Sequence, residues 1–301
     1  MVQPVYLELL QDAREIVSIA RRGILARFSG DFAITVKDDN SQVTEADLEA
    51  EATIREEIQR RYPGHGIVGE EYPETNPGAE FRWVLDPIDG TNNFAHRLPT
   101  FGTIVGIYRG GEQIVGIIDH PALGLCYSAA RGFGTFCNDE RISIRDYTKP
   151  DLDANEIITI GTRNNFLTSG DEGLFDKFLA FHPNIRIFFD CFGHTRAVHS
   201  QAGAHICFNL NLWDVCASQV LTEEANGKFV QLKVLEKPGP RSFGLTHERY
   251  VAKPSENLFL NRDKGAAHYG EYSPFPQLHQ NLSHPSFLHV HPRNADDVVG
   301  P

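Results

Sequence analysis

The stretch Trp83–Phe94, WVLDPIDGTNNF, constrains this chain more than any other. Val84 and Leu85 read as the end of a buried strand. Pro87 stops the ladder because it has no N–H to donate, which leaves Asp86 and Asp89 projecting at the strand end. Two acids this close repel one another unless something positive sits between them. The expected occupant is a hard cation, because Mg2+ takes carboxylate and carbonyl oxygens and keeps positions open for water and substrate phosphate. Gly90 and Thr91 then offer backbone N–H groups at the start of a helix, a ready anion site. Metal and phosphate are expected to meet here.

The rest of the chain supplies the frame. Its 301 residues, 41% hydrophobic and 23% charged, suffice for two packed units sharing a site. A net charge of −12 argues against a nucleic-acid-binding surface, and it makes an anionic substrate depend on local cations or bound metal. The 5 cysteines, odd in number and without CxxC spacing, read as reduced core thiols. No basic-then-apolar signal opens the sequence, and no apolar run approaches the ~20 residues that span a bilayer. The expected location is the cytoplasm, with no membrane partner.

Helical spacing of Leu9, Leu10, Ile16, Val17, Ala20 and Ile24 predicts an amphipathic helix over 5–29. The polar loop Lys37-Asp38-Asp39-Asn40-Ser41 reads as a mobile lid or a hairpin tip. Thr44 with Asp47 three residues on forms a capping box, opening a helix that Pro63-Gly64 ends. Ile67-Val68 is a short strand stopping at Gly69-Glu70-Glu71, and four β-rich runs between Thr103 and Cys137 predict an antiparallel meander. Residues 1–146 form the expected N-terminal α+β unit, with a boundary at Asp146–Asp153. In the C-terminal unit, 147–260, strands are expected at Ile157–Ile160, Arg186–Phe189, Phe229–Leu232 and Tyr250–Lys253. Helices are expected at Leu174–Phe181, at Arg196–Phe208 running into an apolar stretch, and at Val215–Asn226 with Gly227 as its stop. Beyond Asn261 the pattern fails. His289 and His291 show a His-x-His spacing, but without Cys or acidic partners nearby the 261–301 tail reads as a loosely packed extension.

Taken singly, the acids outside the central motif have plain readings: Asp47 as a cap residue, Glu70-Glu71 as a solvated turn, Asp214 as a helix N-cap. Taken together, Gly69-Glu70-Glu71, Asp86-Pro87-Ile88-Asp89-Gly90-Thr91 and Trp213-Asp214 stand in the order and approximate spacing found in the inositol monophosphatase family, which the chain resembles over roughly 5–255. The resemblance implies an α+β fold, the layered αβαβα sandwich of the inositol monophosphatase and fructose-1,6-bisphosphatase type. It also implies a lithium-sensitive phosphomonoesterase using two or three Mg2+ ions per site, and a homodimer.

Carried over by position, Glu70, Asp86, Asp89 and Asp214 match the metal-ligand carboxylates, and Ile88 matches the position giving its carbonyl. Gly90 and Thr91, with Asp89, match the phosphate and substrate side. Asp47 becomes a partner for Thr91, Lys37 falls in the segment of a flexible metal-site loop, and Gly193-His194-Thr195 resembles a segment contacting substrate hydroxyls. The implied roles are Glu70, Thr91 and Asp47 in activating water, and the acid cluster in holding metal. Inositol-acting members carry a Glu shortly before the Trp-Asp acid, where this chain reads Cys207-Phe208-Asn209-Leu210-Asn211. Losing that carboxylate weakens selection for a polyol. Phe81-Arg82-Trp83 and Asp190-Cys191 resemble the histidinol-phosphate phosphatase branch instead. The expected substrate is a small phosphate monoester: inositol monophosphate or a related polyol, sugar or amino-alcohol phosphate. Histidinol phosphate, fructose 1,6-bisphosphate and 3′-phosphoadenosine 5′-phosphate are alternatives, and a regulatory binding protein on the same fold is the non-enzymatic one.

Overall fold

In the computed structural model, which describes residues 3–36, 42–144, 156–167, 173–234, 245–249, 267–268 and 285–290, the N-terminal helical spacing produces α1 (Pro4–Ser29). Its buried face runs through Leu9, Ala13, Ile16, Val17, Ala20 and Ile24. Strands β1 (Ile34–Val36) and β2 (Gln42–Thr44) pair antiparallel, and Lys37, between them, lies outside the described residues. Thr44 and Asp47 form the expected capping box at the head of α2 (Glu45–Arg61). No described helix is long and apolar enough to cross a membrane.

A seven-stranded sheet follows: β3 (Gly66–Gly69), β4 (Phe81–Asp89), β5 (Gly102–Arg109), β6 (Glu112–His120), β7 (Leu125–Ala130), β8 (Gly134–Cys137) and β9 (Glu140–Ile142), in that spatial order. Only β3 and β4 are parallel; the rest is the expected meander. Alternation sorts the side chains by face. Ile67, Trp83, Leu85, Val105, Ile107, Val115 and Ile117 pack under α1 and α2. Val68, Val84, Ile104, Ile118 and Tyr127 face the opposite way, toward a second helical layer.

The second half of the chain builds that layer and what lies beyond it. β10 (Ile158–Ile160) runs parallel to β11 (Ile185–Ile187) and to β12 (Ala204–Cys207). Helices α4 (Arg163–Leu167) and α5 (Leu174–Phe181) cover the outer face of this sheet through Phe166, Leu174, Phe175 and Phe178. Between the two sheets lie α6 (Asp190–Val198), α7 (Leu212–Val215) and α8 (Ser218–Glu224). The layers are therefore helix, sheet, helix, sheet, helix, as the resemblance implied.

Three local expectations give way. The helix expected over Arg196–Phe208 is instead the end of α6 plus strand β12, because Ser200 turns the chain with φ 58° and Ala204–Cys207 finds a parallel partner in β10. The helix expected at Val215–Asn226 divides into α7 and α8, and Asn226, not Gly227, takes the left-handed position. There Asn226 N–H reaches Glu223 O and Gly227 N–H reaches Thr222 O, a Schellman ending. In the tail, β15 (Ala267–His268) and β16 (Pro285–Val290) insert between β12 and β13 (Lys228–Val234), whose other edge pairs with β14 (Leu245–Arg249). Backbone pairing satisfies an open sheet edge without any side-chain periodicity, so these strands left little trace in the pattern. Asp146–Asp153, Tyr250–Lys253 and His291 lie outside the described residues.

Candidate active site

Parallel pairing of β3 and β4 sets Gly69 opposite Leu85, so Glu70, just past the end of β3, comes beside Asp86 on β4. Pro87 interrupts the pairing without ending the strand: β4 continues to Asp89, but its register with β5 breaks between Asp86 and Asp89. Thr103 Oγ1 donates to the freed Pro87 carbonyl at 2.8 Å. Gly90 then turns the chain with φ 84°, a left-handed conformation that glycine adopts without strain, into α3 (Thr91–Ala95).

Asp214 arrives from over a hundred residues away. Its helix is pressed onto the sheet at the register pair Gly106–Gly116, where any Cβ would collide with Cys216 O at 1.9 Å or Ala217 O at 2.7 Å. Two glycines side by side thus form the dent that lets α7 deliver its acid. Asp214 is the third residue of the α7 capping box, not the N-cap: Asn211 N–H donates to its Oδ2 at 2.6 Å.

The result is a concentration of negative charge. One carboxylate oxygen from each of Asp86, Asp89 and Asp214 lies within 4.8 Å of the other two. Asp86 Oδ1 is buried with no hydrogen-bond partner among the described residues. Burial, then the charges of Glu70, Asp89 and Asp214, drive the Asp86 carboxyl well above its ordinary range. Burial followed by Asp89 and Glu70 does the same to Asp214. Asp89 is pushed up to about 6 by burial, against the pull of Cys191 and the Gly90 amide. An orphaned buried oxygen amid crowded oxygen donors is what a hard cation satisfies. The residues present fit a divalent metal ion.

Beside the cluster, Thr91 Oγ1 lies 3.2 Å from Asp47 Oδ1 and 3.1 Å from the Ile88 carbonyl. The second oxygen of Asp47 accepts from Thr44 N–H at 2.8 Å and from the Thr44 hydroxyl. Asp47 is therefore both the inner partner in the α2 capping box and the neighbour of Thr91, and burial raises its pKa.

Gly193, His194 and Thr195 sit on α6, but their side chains turn into the helical layer. His194 Nδ1 meets Ser218 Oγ at 3.0 Å and Thr195 Oγ1 meets His120 Nε2 at 2.8 Å. The start of α6 instead contributes a residue not expected at the site. Asp190, with φ 61°, accepts a hydrogen bond from Asn93 Nδ2 at 3.1 Å, and its Oδ2 would lie 3.0 Å from a Cβ on Gly90. Burial, then Asp89 and Asp214, push its carboxyl well above the usual range. The next residue, Cys191, donates its N–H to Asp89 Oδ2. The loop bearing Glu70 also has a hidden support. Buried Glu51 accepts Glu71 N–H at 2.8 Å and Tyr72 N–H at 3.2 Å while Arg55 Nε donates to it at 2.7 Å. A sequence signal for this pair existed, since Glu51 and Arg55 fall on the same helical face as Ala50, Ile54 and Ile58. For Asp190 the signal was the likeness of Asp190-Cys191 to the histidinol-phosphate phosphatase branch, which carried no role for the side chain.

Comparison with known proteins agrees with this geometry. Residues 6–262 match the model of the inositol monophosphatase family. A histidinol-phosphatase of Chlorobaculum parvum is 31% identical over 64% of this chain and 73% of its own length. An inositol-1-monophosphatase of Rhizobium meliloti is 32% identical over 64% and 73% respectively. The solved inositol monophosphatase of Anabaena superposes with a TM-score of 0.65 at 25% identity, covering 79% of this chain and 89% of that one. A match spanning most of the sequence, on a fold whose layers bring the motif acids together, makes this chain a member of the inositol monophosphatase family and a phosphomonoesterase.

Proposed function

We propose that the chain hydrolyses a small phosphate monoester with Mg2+, held by Asp86, Asp89, Asp214, Glu70 and the Ile88 carbonyl, two or three ions being engaged. The observation that carries this reading is the orphaned Asp86 oxygen within a three-carboxylate cluster. When bound, Mg2+ neutralises the equatorial phosphate oxygens and makes water more acidic. Thr91, donating to Asp47 Oδ1, turns a lone pair toward the attacking water and accepts its proton as its own moves to Asp47. Asp47 is suited to receive it because burial already raises its affinity for a proton. Glu70, beside Asp86, orients the water, and Gly90 and Thr91 at the head of α3 face the phosphate with Asp89.

The alcohol is chosen elsewhere. Asp190 is a half-buried carboxylate beside Gly90 with no salt bridge among the described residues, which favours an alcohol bearing an ammonium group, such as histidinol phosphate, over an uncharged polyol. Inositol monophosphate and other polyol or sugar phosphates remain the comparison substrates. With His194 and Thr195 turned inward, the Gly193-His194-Thr195 segment acts on substrate through the placement of α6. Five free thiols fit a reducing cytoplasm, and the homodimer is carried on the family resemblance, to be weighed by sedimentation.

The test is phosphate release from histidinol phosphate, inositol 1-phosphate, fructose 1,6-bisphosphate and 3′-phosphoadenosine 5′-phosphate, with Mg2+, with EDTA, and with Mg2+ plus Li+. Turnover needing Mg2+, abolished by EDTA, lowered by Li+ and greatest on histidinol phosphate is expected. Undiminished turnover in EDTA would sink the metal assignment, and equal kcat/KM on inositol 1-phosphate would sink the role given to Asp190.

A further inference from the structure

Between α6 and β12, in a group separate from the acid cluster, three side chains with affinity for soft metals converge. His205 and Cys207 are two residues apart on β12 and share one face, with Cys207 Sγ 2.7 Å from His205 Nε2. His194 reaches them from α6, its ring centroid 4.7 Å from that of His205. One ligand atom from each residue lies within 4.8 Å of the other two, and all three residues are buried.

The surroundings hold both rings in place. Thr159, opposite His205 in the β10–β12 register, spends its hydroxyl proton on Ala204 O at 3.1 Å. Its contact of 2.8 Å with His205 Nδ1 must then be accepted from an Nδ1–H, which leaves Nε2 as the basic nitrogen facing Cys207. Ser218 Oγ holds His194 Nδ1 at 3.0 Å. Hydroxyl support at Nδ1 of each ring is the outer arrangement that orients metal-ligating histidines. Gly193 makes room, since a Cβ there would meet His205 Cε1 at 2.2 Å. Burial keeps both imidazoles neutral, His194 falling to about 3 and His205 well below its ordinary value. The charges of Asp190, Asp89 and Asp214 reach Cys207, so a cation here gains from acids that repel a bare thiolate.

We propose that His194, His205 and Cys207 form a second, structural metal site for a thiolate- and imidazole-seeking ion, Zn2+, separate from the catalytic cluster. On binding, the Cys207 thiol loses its proton to solvent and the thiolate joins two neutral imidazoles, with one tetrahedral position left for a small oxygen donor. The ion ties β12 to α6, whose first turn carries Asp190 and the Cys191 amide bound to Asp89. It braces one wall of the active site.

Because the ligands are buried, the full chain is refolded from urea with Co2+ under a thiol-free reductant and excess Mg2+, and its absorption is recorded. The expected result is a thiolate-to-cobalt charge-transfer band saturating at one Co2+ per chain, kept in Asp86→Asn and lost in Cys207→Ser. Zn2+ is expected to displace Co2+ and to raise the thermal midpoint of the wild type but not of Cys207→Ser. Should Cys207→Ser fail to refold, the band is expected to persist in Cys126→Ser, Cys137→Ser, Cys191→Ser and Cys216→Ser. No band in refolded wild type, a band undiminished in Cys207→Ser, or its loss in any of the other four variants overturns the proposal.

Discussion

Two sets of buried or half-buried acids occupy this molecule, and they are treated oppositely. Where the fold needs a carboxylate for structure it provides a cation: Asp119 on β6 meets Arg21 of α1 at 2.5 Å, and Glu51 meets Arg55 one helical turn away at 2.7 Å. At the end of β4 and the heads of α6 and α7, Asp86, Asp89 and Asp214 crowd together, Asp190 feels the charges of Asp89 and Asp214, and none of the four has a salt bridge among the described residues. Burying charge without a partner costs several kcal/mol per ion, so the second arrangement persists only because something outside the chain completes it. A protein that neutralises its structural acids and leaves four others unneutralised has marked where its ligand goes.

That contrast can be broken experimentally. The largest effect belongs to Asp86→Asn and Asp214→Asn, each expected to lower Mg2+-dependent phosphate release by roughly 10³-fold, measured as kcat. In EDTA the same variants should be more stable than wild type, by roughly 2–4 °C in thermal midpoint for each kcal/mol of repulsion removed. A lower midpoint would show that the acids are structural after all. Glu51→Ala should do the reverse, destabilising by about 3–5 kcal/mol in urea titration because Arg55 loses its buried partner. Its activity should fall with the Glu70 loop it supports.

A smaller effect tests the site acids through pH and Mg2+ together. The site acids have raised folded-state pKa values, so the folded protein binds protons that the unfolded chain releases above about pH 4. Their contribution to stability is fully present below the unfolded value and is lost as pH rises through the folded one, about 6 for Asp89. In metal-free buffer the midpoint should therefore drop between about pH 4 and 7, and saturating Mg2+ should flatten that drop. An unchanged slope with Mg2+ would count against metal binding at these acids. Smallest of all, Arg27→Ala, which removes an exposed pair with Glu49, should leave midpoint and activity unchanged within error.

How much of this was legible beforehand depended on distance along the chain. The broken ladder at Pro87, the helix start after Gly90 and the capping box of Thr44 and Asp47 are each written in a few consecutive residues and are readable from backbone chemistry alone. Within Arg196–Phe208 the short apolar run suits helix or strand equally, and only the parallel edge of β10 decides for strand at Ala204–Cys207. Asp190-Cys191 marks a family branch in the sequence, and only the fold puts the Asp190 side chain beside Gly90.

By itself, then, the sequence determined the chemistry: acids, a proline that opens the ladder, a glycine that turns it, and a hydroxyl with its partner, all set by local constraints on φ, ψ and hydrogen bonding. Only the tertiary structure decided which distant groups join them. Asp214 is delivered by a helix pressed into the Gly106–Gly116 dent, and Glu51 is sent inward to hold the Glu70 loop. Those outcomes follow from close packing between layers, which depends on residues brought together by the fold and not on their spacing in the chain.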